Sequence, residues 1–440
     1  YMETKLRGFD ALAAQRRVIG DRDRRIADDA RLEKGPAYDT KLASDGDGAG
    51  WPTYRQNAQR SGVAETTLPS AMEPRWSAEL GGRLTQPVVA GGKALVALMD
   101  AHAVVALDAV DGRIAWRFVC GGRVDSPPTV YKGRVFFGSA DGYLYCVRLE
   151  DGVLAWRFAC APMDLRMVSY EQVESVWPVH GSALVLDDTV YCAAGRSTWL
   201  DGGIALYGLD PATGAIRYRR HFESRDPGFR ENADEAEARF DERYDQNVTD
   251  YKTFLQPDRA DAFSMAGGAI SDVLVSDGTD VFLHQARFDA RLQPQEQPAR
   301  HLFSTSSLLD DAENHRSHWV LGTGDFSRVP VAYSWIVNSN NARRRGTVFA
   351  VPYGVMLAFD EDAIWGVHRN GRANGKYTVF RRENAPLPGD TGRLPDFREL
   401  PEDVDPYPHV WRTPSETRPR AVLQPGDFVF GATSTTADAR

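Results

Sequence analysis

Cysteine is scarce, with four in 440 residues: Cys120, Cys146, Cys160 and Cys192. They form neither a C-x-x-C pair nor an adjacent pair, so their spacing writes no zinc site and no disulfide framework. Buried free thiols, packing as small hydrophobes, are the expectation. Long apolar runs are missing too. No stretch approaches the roughly 18 residues that a membrane-spanning helix needs, and the mean hydropathy is −0.42. Nor is there an excess of basic charge: 52 Lys and Arg face 61 Asp and Glu, a formal charge of −9, which repels a phosphate backbone and argues against nucleic acid as a partner. The chain contains no G-x-S-x-G elbow, no P-loop and no H-E-x-x-H helix. It opens on Tyr1 without a signal-peptide pattern and closes in a polar tail, so a piece of a longer protein is expected.

What the sequence does have is self-similarity at a fixed offset. Trp76, Trp116 and Trp156 stand 40 residues apart, and the same offset relates Pro87 to Pro127, Phe118 to Phe158, Asp111-Gly112 to Asp151-Gly152 and Gly81-Gly82-Arg83 to Gly121-Gly122-Arg123. Each unit reads as four short strands. In the second they are Pro128–Tyr131, Arg134–Phe137, Tyr143–Val147 and Leu154–Phe158, broken at Lys132-Gly133, Ala140-Asp141-Gly142 and Glu150-Asp151-Gly152. Glycine at these breaks supplies the positive φ that tight hairpins need. A lone four-stranded meander cannot bury both faces, whereas radial stacking covers each sheet with its neighbour. The expected fold is therefore all-β: a β-propeller of four-stranded antiparallel blades, incomplete in this chain, behind a short helical N-terminal segment.

The expected organisation follows from that repeat. Residues 1–50 form a charged segment and linker, with Leu12, Ile19 and Ile26 spaced for one or two surface helices over 5–35. Asp45 and Asp47 lie in a Gly-rich stretch without the later ligands of a calcium loop. Clear blades run from 76 to 222, the third with Tyr218 in place of the repeat tryptophan. A charged excursion fills 223–262, and degenerate blades occupy 266–440, the last stopping after two strands.

The turn Leu107-Asp108-Ala109-Val110-Asp111-Gly112, followed by Trp116, its counterpart Leu209-Asp210-Pro211-Ala212-Thr213-Gly214, and the lead-in from Trp51 to Gly62 resemble the pyrroloquinoline-quinone-like propeller repeat family. The resemblance implies one of two functions. Quinoprotein dehydrogenases of the family bind pyrroloquinoline quinone and calcium over the propeller axis, usually with a vicinal cysteine pair and a Glu/Asn/Asp calcium set. Outer-membrane assembly lipoproteins use the fold as a cofactor-free, protein-binding scaffold. No Cys-Cys occurs here, and no calcium set can be placed residue by residue. The expectation is a binding scaffold outside the cytoplasm, without a catalytic constellation, that takes a protein, small-molecule or carbohydrate ligand at its end face. The alternatives are a quinone- and calcium-dependent dehydrogenase and a carbohydrate-acting propeller enzyme.

Two insertions mark where that ligand would sit. Nine residues lead from Phe118 to Pro127 but twenty from Phe158 to Pro178, and the second-to-third hairpin grows from six (Gly138 to Leu144) to eleven (Gly195 to Leu206). In a propeller blade both connections lie on the same end. The first carries Arg166, Tyr170, Glu174, Trp177 and His180, the second Arg196, Trp199 and Asp201. Aromatic and charged side chains on loops over a rigid scaffold make a ligand mouth. The competing expectation is a structural plug in which Arg196 pairs with Asp201 or Glu174. His315 and His318 lack an identifiable third metal ligand, Asn247-Val248-Thr249 is a sequon by pattern alone, and the repeat tryptophans are assigned to blade packing.

Overall fold

The computed structural model describes residues 25–44, 50–64, 73–169, 171–198, 200–223, 271–284, 286–295, 297, 299–304, 319–322, 352–369, 377–385, 409–415, 419–425 and 430–433. Among them the regular structure is β apart from two 3-10 turns, Asp28–Ala30 and Met99–Ala101. The protein is all-β, built of small antiparallel sheets in a propeller-type array.

Two short strands, β1 (Leu32–Lys34) and β2 (Val63–Ala64), come first. Blade 1 is the meander β3 (Val88–Ala90), β4 (Lys93–Leu98), β5 (Ala103–Asp108) and β6 (Ile114–Val119). Blade 2 is β7 (Thr129–Tyr131), β8 (Arg134–Gly138), β9 (Tyr143–Arg148) and β10 (Leu154–Ala159). A separate hairpin, β11 (Arg166–Ser169) and β12 (Gln172–Ser175), precedes blade 3, which is β13 (Leu184–Leu186), β14 (Thr189–Ala194), β15 (Ile204–Leu209) and β16 (Ile216–Phe222). Then come three strands of blade 4, β17 (Val275–Ser276), β18 (Val281–Leu283) and β19 (Ala286–Phe288), and three of blade 5, β20 (His301–Ser304), β21 (Trp319–Gly322) and β22 (Tyr353–Gly354). Blade 6 is β23 (Met356–Phe359), β24 (Ala363–Arg369), β25 (Tyr377–Glu383) and β26 (Trp411–Ser415). Finally β27 (Pro419–Pro425) and β28 (Phe430–Thr433) share a sheet with β2, which pairs parallel to β27.

Blade sequences are apolar at consecutive positions because both faces are covered. On β8, Phe136 points into the cluster shared with blade 3, beside Val190 and Cys192, while Phe137 points into the cluster shared with blade 1, beside Leu95 and Val104. Tyr191 and Leu206 of blade 3 meet Val281 and Phe288 of blade 4, and Val275, Leu302, Trp319, Leu357 and Ile364 continue the core through blades 5 and 6.

One contact recurs at each of the first junctions. After the Asp-Gly turn the outer strand is bulged, so Trp116 pairs with Ala106 and Ile114 with Leu107; the same shift lies between Leu154 and Trp156, and opposite Gly208 and Leu209 in blade 3. The bulge re-aims the side chain out of its own sheet. Each tryptophan then covers the turn glycine of the next unit and donates its indole N–H there: Trp76 to the Ala109 oxygen at 3.1 Å, Trp116 to Leu149 at 2.8 Å and Trp156 to Pro211 at 3.3 Å. A Cβ on Gly112, Gly152 or Gly214 would fall within 2.5, 2.7 and 2.9 Å of the ring above it, so these turns need glycine for space as well as for positive φ.

The lead-in segment is threaded along the first strands of successive blades. Trp51 pairs with Val89 of blade 1, the Pro52 oxygen accepts from Val130 of blade 2, and Thr53 shares a 2.8 Å hydroxyl contact with Thr129. Ala58 accepts from Ser276 of blade 4 and Ser61 from Phe359 of blade 6. Arg60, wholly buried, donates to the oxygens of Thr53 and Tyr54, of Ser182 and Ala183 in blade 3, and of Leu274 in blade 4. Burial lowers its pKa to about 9, so the charge persists at neutral pH.

The expected helical segment over 5–35 is not supported where it is described, over residues 25–35. Residues 1–24 lie outside the described residues, and the part that is described is extended: β1 adds to the outer edge of blade 2 by pairing with β10. Arg31 anchors it through the oxygens of Ala159 and Ala161, at 2.8 and 2.9 Å. An open sheet edge supplies a full set of backbone partners, which outweighs a sparse heptad spacing. The excursion at 224–262, the Gly-rich residues 45–49, His315, His318 and the Asn247 sequon fall outside the described residues. Strands β20 and β21 occupy stretches in which no strand is read from the sequence.

Candidate functional site

The two insertions of blade 3 meet. Arg196, after β14, donates to the backbone oxygens of Ser175 and Val176 at 3.2 and 2.8 Å and to the Glu174 carboxylate at 2.9 Å. The other Glu174 oxygen takes a 2.7 Å bond from Arg123 of blade 2, and neither Arg123 nor Glu174 is exposed. The Trp177 indole donates to the Asp201 main-chain oxygen at 2.9 Å, which ties one insertion to the other. Asp201 adopts φ 55°, and its carboxyl is pushed up by partial burial against the opposing pull of Arg196.

His180 is buried at the inner end of the same loop, with Nδ1 against the carboxylate of Asp125 in blade 2. Burial on its own would raise the Asp125 pKa, but the charge and hydrogen bond of His180, helped by Arg123 and Ser126, bring it below the ordinary carboxylate range. Ser126 commits its hydroxyl to Asp125 at 2.8 Å, which is not the arrangement of a serine nucleophile activated by imidazole. The sites of Asp125 and His180 are equivalent: each lies six residues before the strand-end residue, Tyr131 or Leu186, that pairs across the turn with Arg134 or Thr189.

Above this buried base stands the β11–β12 hairpin, in register from Arg166 opposite Ser175 to Ser169 opposite Gln172. Arg166 is exposed and paired with Asp164 at 3.2 Å. Val168 and Val173 face each other directly and are 42% and 59% exposed, and Leu200 on the second insertion is 54% exposed. Gln172 reaches across to His102 of blade 1 at 2.8 Å. Beside that turn, a depression of about 300 Å³ is lined by Leu80, Gly82, Leu98 and Arg117 and by the ion pair of Arg83 with Asp100. Tyr170 and Trp199 lie outside the described residues.

Thus Glu174, Trp177, His180 and Arg196 form a connected base, Asp201 joins it through its backbone, and Arg166 sits apart on the hairpin. Sequence reasoning missed Arg123 and Asp125, the partners that blade 2 contributes. The one available signal was that Arg123 lies at a repeat position, 40 residues after Arg83. No three His, Cys, Asp or Glu side chains are grouped to hold a metal among the described residues.

Tryptophan-capped four-stranded repeats stacked in this way define a class, that of propeller blades, and the likeness to pyrroloquinoline-quinone-like repeats covers part of the chain. Within that class, residues 64–239 match the family model described as outer membrane protein assembly factor BamB. Among solved structures, similarity extends to BamB from Moraxella catarrhalis (14% identity, 66% of this chain and 71% of that one, TM-score 0.36). It extends also to quinohemoprotein alcohol dehydrogenase from Comamonas testosteroni (14% identity, 76% and 59%, TM-score 0.40) and to a europium-containing methanol dehydrogenase (17% identity, 40% and 32%, TM-score 0.32). The chain spans 32% of the length of that methanol dehydrogenase and 29% of a quinohemoprotein alcohol dehydrogenase from Pseudomonas putida HK5. No curated protein matches.

Proposed function

We propose that this protein is a non-catalytic binding scaffold that works outside the cytoplasm and receives a protein partner on the end face carrying the blade 3 insertions. The observation that carries the reading is the β11–β12 hairpin, whose foot is fixed by the Glu174 ion pairs while Val168 and Val173 are held out in solvent. Apolar side chains on a preorganised element bind at low entropic cost. Arg166, Asp201 and, by sequence position, Tyr170 and Trp199 would supply the polar and aromatic rim. Glu174, Trp177, His180 and Arg196 act beneath as supports. The match to an assembly-factor family over residues 64–239 favours a protein ligand, and nothing in the geometry selects a carbohydrate. No helix among the described residues is long and apolar enough to cross a membrane.

The test is photocrosslinking from position 173 in a cell-envelope extract, followed by the same capture with Val168→Asp/Val173→Asp. One reproducible adduct, lost at least tenfold in the double variant at unchanged thermal midpoint, is the expected result. Undiminished capture moves binding off the hairpin. Incubation with pyrroloquinoline quinone and calcium decides the dehydrogenase alternative: stoichiometric uptake of both, with alcohol oxidation, overturns the scaffold reading.

A further inference from the structure

We propose that Cys160 and Cys192 are a disulfide-forming pair which, once oxidised, staples blade 2 to blade 3. Cys160 follows β10 and Cys192 lies in β14 of the next blade, with their sulfurs 3.5 Å apart in the shared core. Exposure is 0% and 3%, so the pair lies in the shared core and not at the surface. A disulfide holds its sulfurs at about 2.05 Å, so the two sulfurs stand about 1.5 Å beyond bonding distance.

The repeat supplies an internal control. Cys120 stands 40 residues before Cys160, and the strand pairing makes Phe137 the equivalent of Cys192. At that earlier junction Phe137 fills the site, and the Cys120 sulfur turns to the oxygens of His102 and Gly122 at 3.2 and 3.1 Å. Packing at this position is therefore satisfied by a hydrocarbon ring. Among the described residues, the junction of blades 2 and 3 alone sets thiol against thiol.

The reaction removes the two S–H protons and two electrons from Cys160 and Cys192 and forms one Sγ–Sγ bond. A small disulfide such as oxidised glutathione accepts them and becomes two thiols. Exchange proceeds through a thiolate. In the folded chain the bond to Cys160 and burial hold the Cys192 thiol well above its ordinary pKa, so pairing should occur before blade 3 closes on blade 2. Extracytoplasmic compartments supply such oxidants.

The test refolds the full chain from denaturant in a glutathione buffer rich in the oxidised form, blocks free thiols under denaturing conditions without reductant, and maps the peptides. The expected result is one Cys160–Cys192 linked peptide, with Cys120 and Cys146 alkylated and the intact mass lower by two hydrogens before blocking. Reduction should lower the thermal midpoint by about 5 °C, a shift absent from Cys192→Ala. Four alkylated cysteines after oxidative refolding, or a mixture of pairings that includes Cys120, overturns the proposal. Peptide mapping of the unmodified chain needs no variant, so misfolding of Cys192→Ala leaves the test intact.

Discussion

The guanidinium of Arg60 donates to the main-chain oxygen of Leu274, 214 residues further along the chain, at 3.2 Å. With its bonds to Ser182 and Ala183 it ties the lead-in segment to blades 3 and 4 through backbone acceptors that no solvent reaches. Losing such a donor leaves several buried oxygens unsatisfied, each at about 1–3 kcal/mol. Arg60→Met is therefore expected to cost about 3 kcal/mol or more in urea unfolding, and Arg60→Lys to recover little, since one ammonium cannot replace a planar fork. A midpoint within error of the parent would show that the lead-in is not held through this residue.

Glu174 neutralises Arg123, which is fully buried, and Arg196, which is partly so. Removing one partner of a buried pair costs about 3–5 kcal/mol, whereas replacing the pair with apolar groups is often near neutral. Glu174→Leu is expected to fall in the first range, and Glu174→Leu/Arg123→Met to regain more than half of the loss. Chemical denaturation of both variants decides this. A single variant as stable as the parent contradicts the anchored hairpin.

The Asp125 carboxyl has a folded-state pKa below its unfolded value of about 3.9. Its contribution is accordingly present above about pH 4 and is lost as pH falls through the lowered folded value. Urea midpoints measured from pH 6 to pH 2 should therefore draw together for the parent chain and Asp125→Asn as pH falls below about 4, after a clear gap at pH 6. Parallel curves would mean that the pair with His180 adds nothing to stability.

Gly152 and Gly92 both have positive φ, 73° and 71°, yet a Cβ on Gly152 meets the Trp116 ring at 2.7 Å and one on Gly92 meets nothing within 4 Å. Gly92→Ala should lose about 1 kcal/mol through backbone strain alone. Gly152→Ala should lose about 2–4 kcal/mol, because the ring must also leave its site. Equal losses would remove the tryptophan–glycine contact from the account of blade stacking.

The 40-residue offset, the Asp-Gly turns and the lone tryptophans made the all-β propeller legible, because each blade repeats one local solution: a turn that needs positive φ, a bulge, and a ring that covers the next glycine. Those are short-range requirements, and they survive in composition and spacing. The role of the rim residues was not legible in the same way. Trp177 and Asp201 come together because both insertions leave the same end of one blade, which topology foretells. Glu174 and His180 are different. Their partners, Arg123 and Asp125, sit in the preceding blade, 51 and 55 residues away, and the spacing that joins them is set by how two sheets stack. Only tertiary packing could therefore decide that these charged side chains are buried supports and that Val168 and Val173 are among the exposed positions, since a sequence states a residue's chemistry while the neighbouring blade determines how much water it keeps.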